Sequence, residues 1–195
     1  MNTRYRIAIY IGNFIAEQTN SSKEKAERIV YGLWNFLTII MLLTILGLIK
    51  IITMILFSID IPIFTVYFSF SVLRVYLGGF HLTNTNVCLI VTTILTLICS
   101  LISYYISIKF YVVPIMYIVG YLVIYMVGVI DNKNKRYNIK RKVRYQKYGF
   151  GLLTGLLIIN VIVYISGYTV ISNALVIGMM MEISNLVLGK YAYKN

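Results

Sequence analysis

Residues 87–108 read VCLIVTTILTLICSLISYYISI, twenty-two consecutive positions without a charged side chain. About 20 largely apolar residues suffice to cross a bilayer as an α-helix, so this stretch predicts a membrane span. Working outward from it, stretches 30–49, 51–73, 110–130, 150–166 and 168–188 have the same character. Asp60 and Pro62 interrupt the second of them; alternatively the first helix runs on to Phe57, with Asp60 and Pro62 forming the turn. Both versions keep an even number of spans. The composition of the 195-residue chain agrees: 59% is hydrophobic and 12% charged, more apolar surface than a soluble domain of this size can bury. Such hydrophobicity also excludes disorder, and two prolines with thirteen glycines favour long helices over a β-barrel. The expected class is an all-α polytopic membrane protein with about six transmembrane helices.

Eighteen Lys and Arg stand against six Asp and Glu, a net charge of +12. In a soluble protein that excess would suggest nucleic-acid binding, but in a membrane protein it records which loops stay in the cytoplasm. Lys133, Lys135, Arg136, Lys140, Arg141, Lys142, Arg144 and Lys147 crowd into 131–148, which therefore reads as a basic cytoplasmic loop. Counting spans outward from it puts both termini and Arg74 on the same side, and leaves only Lys50 and Lys109 outside. No nucleic-acid partner is expected; the inner face would instead attract anionic lipid.

The first 20 residues are too broken by Arg4, Arg6, Asn13, Glu17 and Gln18 to form the apolar core of a signal peptide. Ile7, Ile11, Phe14 and Ile15 recur at helical spacing, which predicts an amphipathic interfacial helix within 1–28. Ser21 and Glu24 form a capping-box pattern for the helix that follows. No linker divides the chain, so 1–195 is expected to be one membrane-embedded domain.

Intramembrane and interfacial polar residues are costly, which makes their positions informative. The chain has a single histidine, His81, in the segment Arg74-Val-Tyr-Leu-Gly-Gly-Phe-His81-Leu-Thr-Asn-Thr-Asn-Val-Cys88. A thiol beside an imidazole is a workable nucleophile and base, since the ring can take the thiol proton and return it to a leaving amine. Seven residues along one helix rise about 10.5 Å, so the chain must turn for the two to meet. Gly78 and Gly79 tolerate unusual dihedrals, and Thr83, Asn84, Thr85 and Asn86 favour turns and caps. With Asn86 as N-cap, Cys88 would fall in the first turn of the third span, where free N–H groups favour a thiolate and a developing oxyanion. From residue type alone, an interfacial histidine and a small packed cysteine remain the competing interpretation.

Arg74, Gly78, Gly79, His81 and Cys88, on a chain of this length and hydropathy, closely resemble the AgrB family of membrane endopeptidases of Gram-positive quorum sensing. The resemblance implies a cysteine endopeptidase that cleaves an AgrD-type precursor peptide and cyclises it to a thiolactone or lactone. Cys88 would be the nucleophile and His81 the general base and acid, while Arg74 and Gly79 match positions that matter for activity. It further implies a homodimer and a substrate with an acidic tail, for which Lys133, Lys135, Arg136, Lys140, Arg141 and Lys142 would be the basic contacts. The site would lie at the cytoplasmic face of the cell membrane.

Among the remaining features, Cys99 lies about 16 Å beyond Cys88 along one helix and is expected in the core. Scattered acids and one histidine make no metal-ligand cluster, and no cofactor is expected. Glu182, with Asn185 one turn on, is placed to face the site from the last span or to pair with a basic loop residue. Gly151 and Gly155 permit close helix packing within one chain or between two. A rival function, exporter of a signalling peptide without catalysis of its own, would need polar residues through several spans, and these spans are nearly uncharged.

Overall fold

The computed structural model of the chain describes residues 3–19, 23–57, 60–82, 84–131 and 138–193. These residues form seven helices and no strand: α1 (Thr3–Gln18), α2 (Lys23–Phe57), α3 (Ile63–Leu77), α4 (Thr85–Tyr105), α5 (Val112–Val127), α6 (Ile139–Ile165) and α7 (Thr169–Ala192). Four of them, α2, α4, α6 and α7, are long and apolar enough to cross a membrane. The helix that opens the apolar region does run on to Phe57, and Asp60 and Pro62 lie in the break before α3.

Two of the six expected spans are shorter than predicted. α3 and α5 have 15 and 16 residues, about 23 Å of rise against a hydrocarbon layer of about 30 Å. Pro62 sets the start of α3 and Gly128, at φ 73°, stops α5. α4 also ends early, at Tyr105, and Ile106 turns extended. A helix that stops within an apolar region leaves backbone groups that need partners. Asn173 on α7 supplies them: its Nδ2 donates to Ile106 O at 2.6 Å and Ser103 O at 3.4 Å, and its Oδ1 accepts from Ile108 N–H at 3.3 Å.

Contacts within the chain gather into two units, 1–52 and 53–195. In the first, α1 buries Ala8, Gly12 and Ala16, small residues at four-residue spacing, with Gly12 closely against Val30 of α2. Ile7, Ile11, Phe14 and Ile15, the predicted apolar stripe, are exposed. Ser21 lies outside the described residues.

In the second unit α7 is the hub, packing against α3, α4, α5 and α6. Its most apolar window is 56% buried, against 17% for α4 and 22% for α6. Leu73 and Leu77 of α3, Tyr117 and Ile124 of α5, Leu153 of α6 and Met179 and Leu186 of α7 share one core. A buried polar link crosses it, with Ser172 Oγ donating to Asn160 Oδ1 at 2.7 Å and Asn160 Nδ2 to Ser172 O at 3.0 Å. Gly151 and Gly155 take no part; a side chain at either would meet open space.

The basic segment departs from its predicted form. Residues 139–148, read as loop, are the opening turns of α6, because nothing between Ile139 and Lys147 breaks a helix and Asn138 occupies the N-cap. Lys140, Arg141 and Lys142 are thus helical, and Lys142 Nζ pairs with Asp131 Oδ2 at 2.6 Å. Lys133, Lys135 and Arg136 lie outside the described residues.

Candidate active site

The site begins where α3 stops. Gly78 is its C-cap, donating its N–H to Arg74 O at 3.0 Å, and Gly78 and Gly79 take φ of 76° and 139°. Both values are accessible chiefly to glycine. A Cβ on Gly78 would strike Ile130 O, and one on Gly79 would overlap Asn185 Nδ2. The chain therefore leaves the helix and runs as an irregular strap, 78–82, along the end of α7, where Gly189 admits Gly79 and Phe80 at close range. Phe80 N–H donates to Asn185 O at 3.2 Å, and Leu77 O accepts from Ile130 N–H at 2.9 Å.

His81 sits on that strap, held from two sides. Arg74 Nη2 donates to Phe80 O at 2.9 Å and lies 3.2 Å from His81 Nδ1. On the other side the Tyr193 hydroxyl accepts from His81 N–H at 3.0 Å and donates to His81 O at 2.9 Å. Arginine carries donors only, so the Arg74 bond makes Nδ1 an acceptor and leaves the ring proton on Nε2. The imidazole is accordingly neutral. Burial and then the Arg74 charge lower its pKa to about 4.

Glu182, fully buried on α7, supports Arg74 from below: its Oε2 is 4.0 Å from Arg74 Nη1 and accepts from Asn185 Nδ2 at 3.1 Å. Its Oε1 has no partner among the described residues. The guanidinium also lies over the Phe70 ring, 5.0 Å from its centroid. Glu182 thus faces the site, and among the described residues its ion-pair partner is Arg74.

Cys88 is the fourth residue of α4, and the cap of that helix differs from the expected one. The N-cap is Asn84, two positions before the expected Asn86; its Oδ1 accepts from Asn86 N–H at 2.9 Å and its carbonyl from Cys88 N–H at 2.9 Å. The earlier asparagine takes the cap because its backbone is extended and its side chain reaches the Asn86 amide, which places Asn86 inside the helix. The Cys88 amide is thereby committed to the helix. Cys88 is half-buried, as is Cys99, which was expected in the core. The strap brings His81, Arg74, Glu182 and both glycines together. No hydrogen bond joins the His81 and Cys88 side chains, whose ring lone pair is taken by Arg74.

The family described as accessory gene regulator B matches residues 8–186. The chain belongs to that family. It is 28% identical over 173 residues to AgrB-like protein 2 of Clostridium perfringens strain 13, covering 83% of this chain and 78% of that one. It is 26% identical over 167 residues to an AgrB-like protein of C. perfringens strain SM101, covering 81% and 76%. No solved structure matches. Membership of the AgrB family, together with the long apolar helices, makes this a membrane protein associated with peptide processing in agr quorum sensing.

In this AgrB-family chain several helix ends meet around the strap. Gln146 Nε2 of α6 donates to Ile124 O at 2.9 Å and Lys190 Nζ of α7 to Met126 O at 3.0 Å, both satisfying the last carbonyls of α5. Tyr76 of α3 stacks edge-on against Tyr145 and Tyr148 of α6, joining the basic end of α6 to the same end of the bundle. Sequence inspection missed Tyr193. It stands 112 residues from His81, and a tyrosine just past a helix end carries no local signal of such a contact.

Proposed function

We propose that the chain is a membrane cysteine endopeptidase that cleaves an AgrD-type precursor through an acyl-thioester and cyclises it. Support comes from one observation above all: two positive-φ glycines, Arg74 and the end of α7 together fix the chain's single histidine on a strap that precedes α4, whose fourth residue is Cys88.

In the proposed cycle the imidazole turns from Arg74 toward Cys88 and accepts the thiol proton on Nδ1. The thiolate attacks the scissile carbonyl, and the N-terminal dipole of α4 would favour the developing oxyanion. The imidazolium then gives its proton to the departing amine, leaving an acyl-thioester on Cys88. A thiol or hydroxyl within the substrate attacks that thioester, closing the ring and restoring the Cys88 thiol. With a thiol attacker, one thioester replaces another and the bond change needs no added energy source. Arg74, released from His81, keeps Glu182 as its countercharge. Asn84 and Asn86 set the start of α4. Lys133, Lys135, Arg136, Lys140, Arg141 and Lys142 would hold an acidic substrate tail or anionic lipid at the cytoplasmic face. The outward-facing Gly151 and Gly155 suit close packing in a homodimer.

The test is reconstitution in proteoliposomes with an AgrD-type precursor. The native chain should form an acyl adduct on Cys88 detectable by mass spectrometry, and Cys88→Ala and His81→Ala should abolish cleavage. Cleavage at the native rate by either variant would remove the assignment.

A further inference from the structure

We propose that Tyr193 is a positioning residue for His81, so that the carboxy-terminal end of α7 is a working wall of the peptidase site. The inference rests on the peptidase function proposed above. His81 follows two glycines in left-handed conformations and belongs to no helix, so helical hydrogen bonding does not hold its main chain. Both of its backbone polar groups go to one atom, the Tyr193 hydroxyl, which accepts from the N–H at 3.0 Å and donates to the carbonyl at 2.9 Å. A phenol has one hydrogen to give, and this one is spent on the His81 carbonyl. Tyr193 is therefore not placed to carry a proton for the reaction; it holds the residue that does.

The neighbouring contacts make that clamp specific. The Phe80 ring stacks on the Tyr193 ring at 6.2 Å and 29°, and Phe80 N–H is fixed by Asn185 O of the same helix. Arg74 of α3 holds the strap from the opposite side through Phe80 O. The imidazole must exchange Arg74 for Cys88 during turnover, and a ring that changes partners needs a backbone that stays still. Tyr193 supplies the fixed end. Because that hydroxyl is spent on the His81 backbone, its loss should slow the chemical steps far more than it weakens precursor binding.

The decisive measurement compares kcat and KM for the native chain, Tyr193→Phe and Phe80→Leu in proteoliposomes. The probe is a synthetic AgrD-type peptide with an internal cysteine and an acidic tail, with Cys88→Ala and His81→Ala alongside. Tyr193→Phe keeps the ring and its stacking but loses both hydrogen bonds; Phe80→Leu loses the stacking and keeps them. The expected result is a kcat at least fivefold lower for Tyr193→Phe with KM within twofold of native, and a smaller loss of kcat for Phe80→Leu, which keeps both hydrogen bonds to His81. A native kcat in Tyr193→Phe, with the Cys88 and His81 variants inactive, overturns the role of Tyr193 alone. Equal losses in Tyr193→Phe and Phe80→Leu that track a lower melting temperature also overturn it, since the tyrosine would then only stabilise the fold. Native cleavage by Cys88→Ala or His81→Ala overturns the peptidase function itself.

Discussion

Arg74 Nη2 stands 3.2 Å from His81 Nδ1, and because a guanidinium has nothing to accept with, it occupies the one lone pair of the neutral imidazole. The resting site is thus one in which the histidine is positioned but not yet acting as a base. Glu182, buried beneath Arg74, makes the arrangement durable by balancing the charge that holds the ring.

The first expected outcome concerns the histidine's titration. His81 is the chain's only histidine, so a labelled-histidine NMR titration in nanodiscs reports it without ambiguity. It should titrate near 4, well below its ordinary value of 6.5, and Arg74→Gln should move it upward by removing the second cause of the shift. The unfolded chain binds a proton that the folded site refuses, so this group contributes stability above pH 6.5 and loses it as the pH falls toward 4. The protection factors of the 78–82 amides against hydrogen exchange, which are corrected for the intrinsic pH dependence of exchange, should accordingly be lower at pH 5 than at pH 7.

Removing Glu182 should destabilise the chain more than neutralising it. Glu182→Ala leaves Arg74, which is itself mostly buried, without its countercharge, a change that costs about 3–5 kcal/mol when one partner of a buried pair is lost. Glu182→Gln retains an acceptor for Asn185 and should cost less. Denaturant titration in detergent micelles ranks the two, and a smaller loss for alanine than for glutamine would contradict the acceptor role given to Glu182 toward Asn185.

Gly79→Ala should abolish precursor processing, because the new methyl both adopts a disfavoured backbone at φ 139° and overlaps Asn185 Nδ2. Only the second effect is relieved by shortening Asn185. The double variant Gly79→Ala/Asn185→Ala should therefore recover part of the stability, with the backbone term, about 1–3 kcal/mol, remaining. Full recovery would place the whole effect in the side-chain overlap.

Lys140 and Arg141 are exposed on the first turn of α6, whereas Lys142 is engaged by Asp131. Charge reversal at Lys140 and Arg141 should raise KM for an acidic-tailed precursor several-fold and hardly change it for a tailless one. Added salt should act in the same direction, since exposed charges are screened beyond about 10 Å at 0.1 M. Equal effects on both peptides would assign these residues to lipid or topology alone.

Much of this protein was legible in its sequence because hydropathy and backbone chemistry are local. Uninterrupted apolar runs predicted the helices, Pro62 the break before α3, and Gly78 and Gly79 the turn that carries His81. The misreadings have physical causes as well. The ends of α4 and α5 fall inside apolar runs, and nothing in the run itself says that Asn173, far along the chain, will satisfy the freed carbonyls at Ser103 and Ile106. The opening turns of α6 carry the same Lys and Arg that mark a cytoplasmic connection between spans, and hydropathy locates the end of the apolar run, not the end of the helix, which lysine and arginine readily continue.

The sequence by itself determined the class of the molecule, the family, and the residues able to do chemistry, since these depend on which side chains are present and how they are spaced. Only the tertiary structure decided how those residues are held: Arg74 on the ring of His81, Glu182 under Arg74, and Tyr193 on the His81 backbone from 112 positions away. Hydrogen bonds act over about 3 Å, and which distant groups come that close is settled by the packing of α7 against its neighbours.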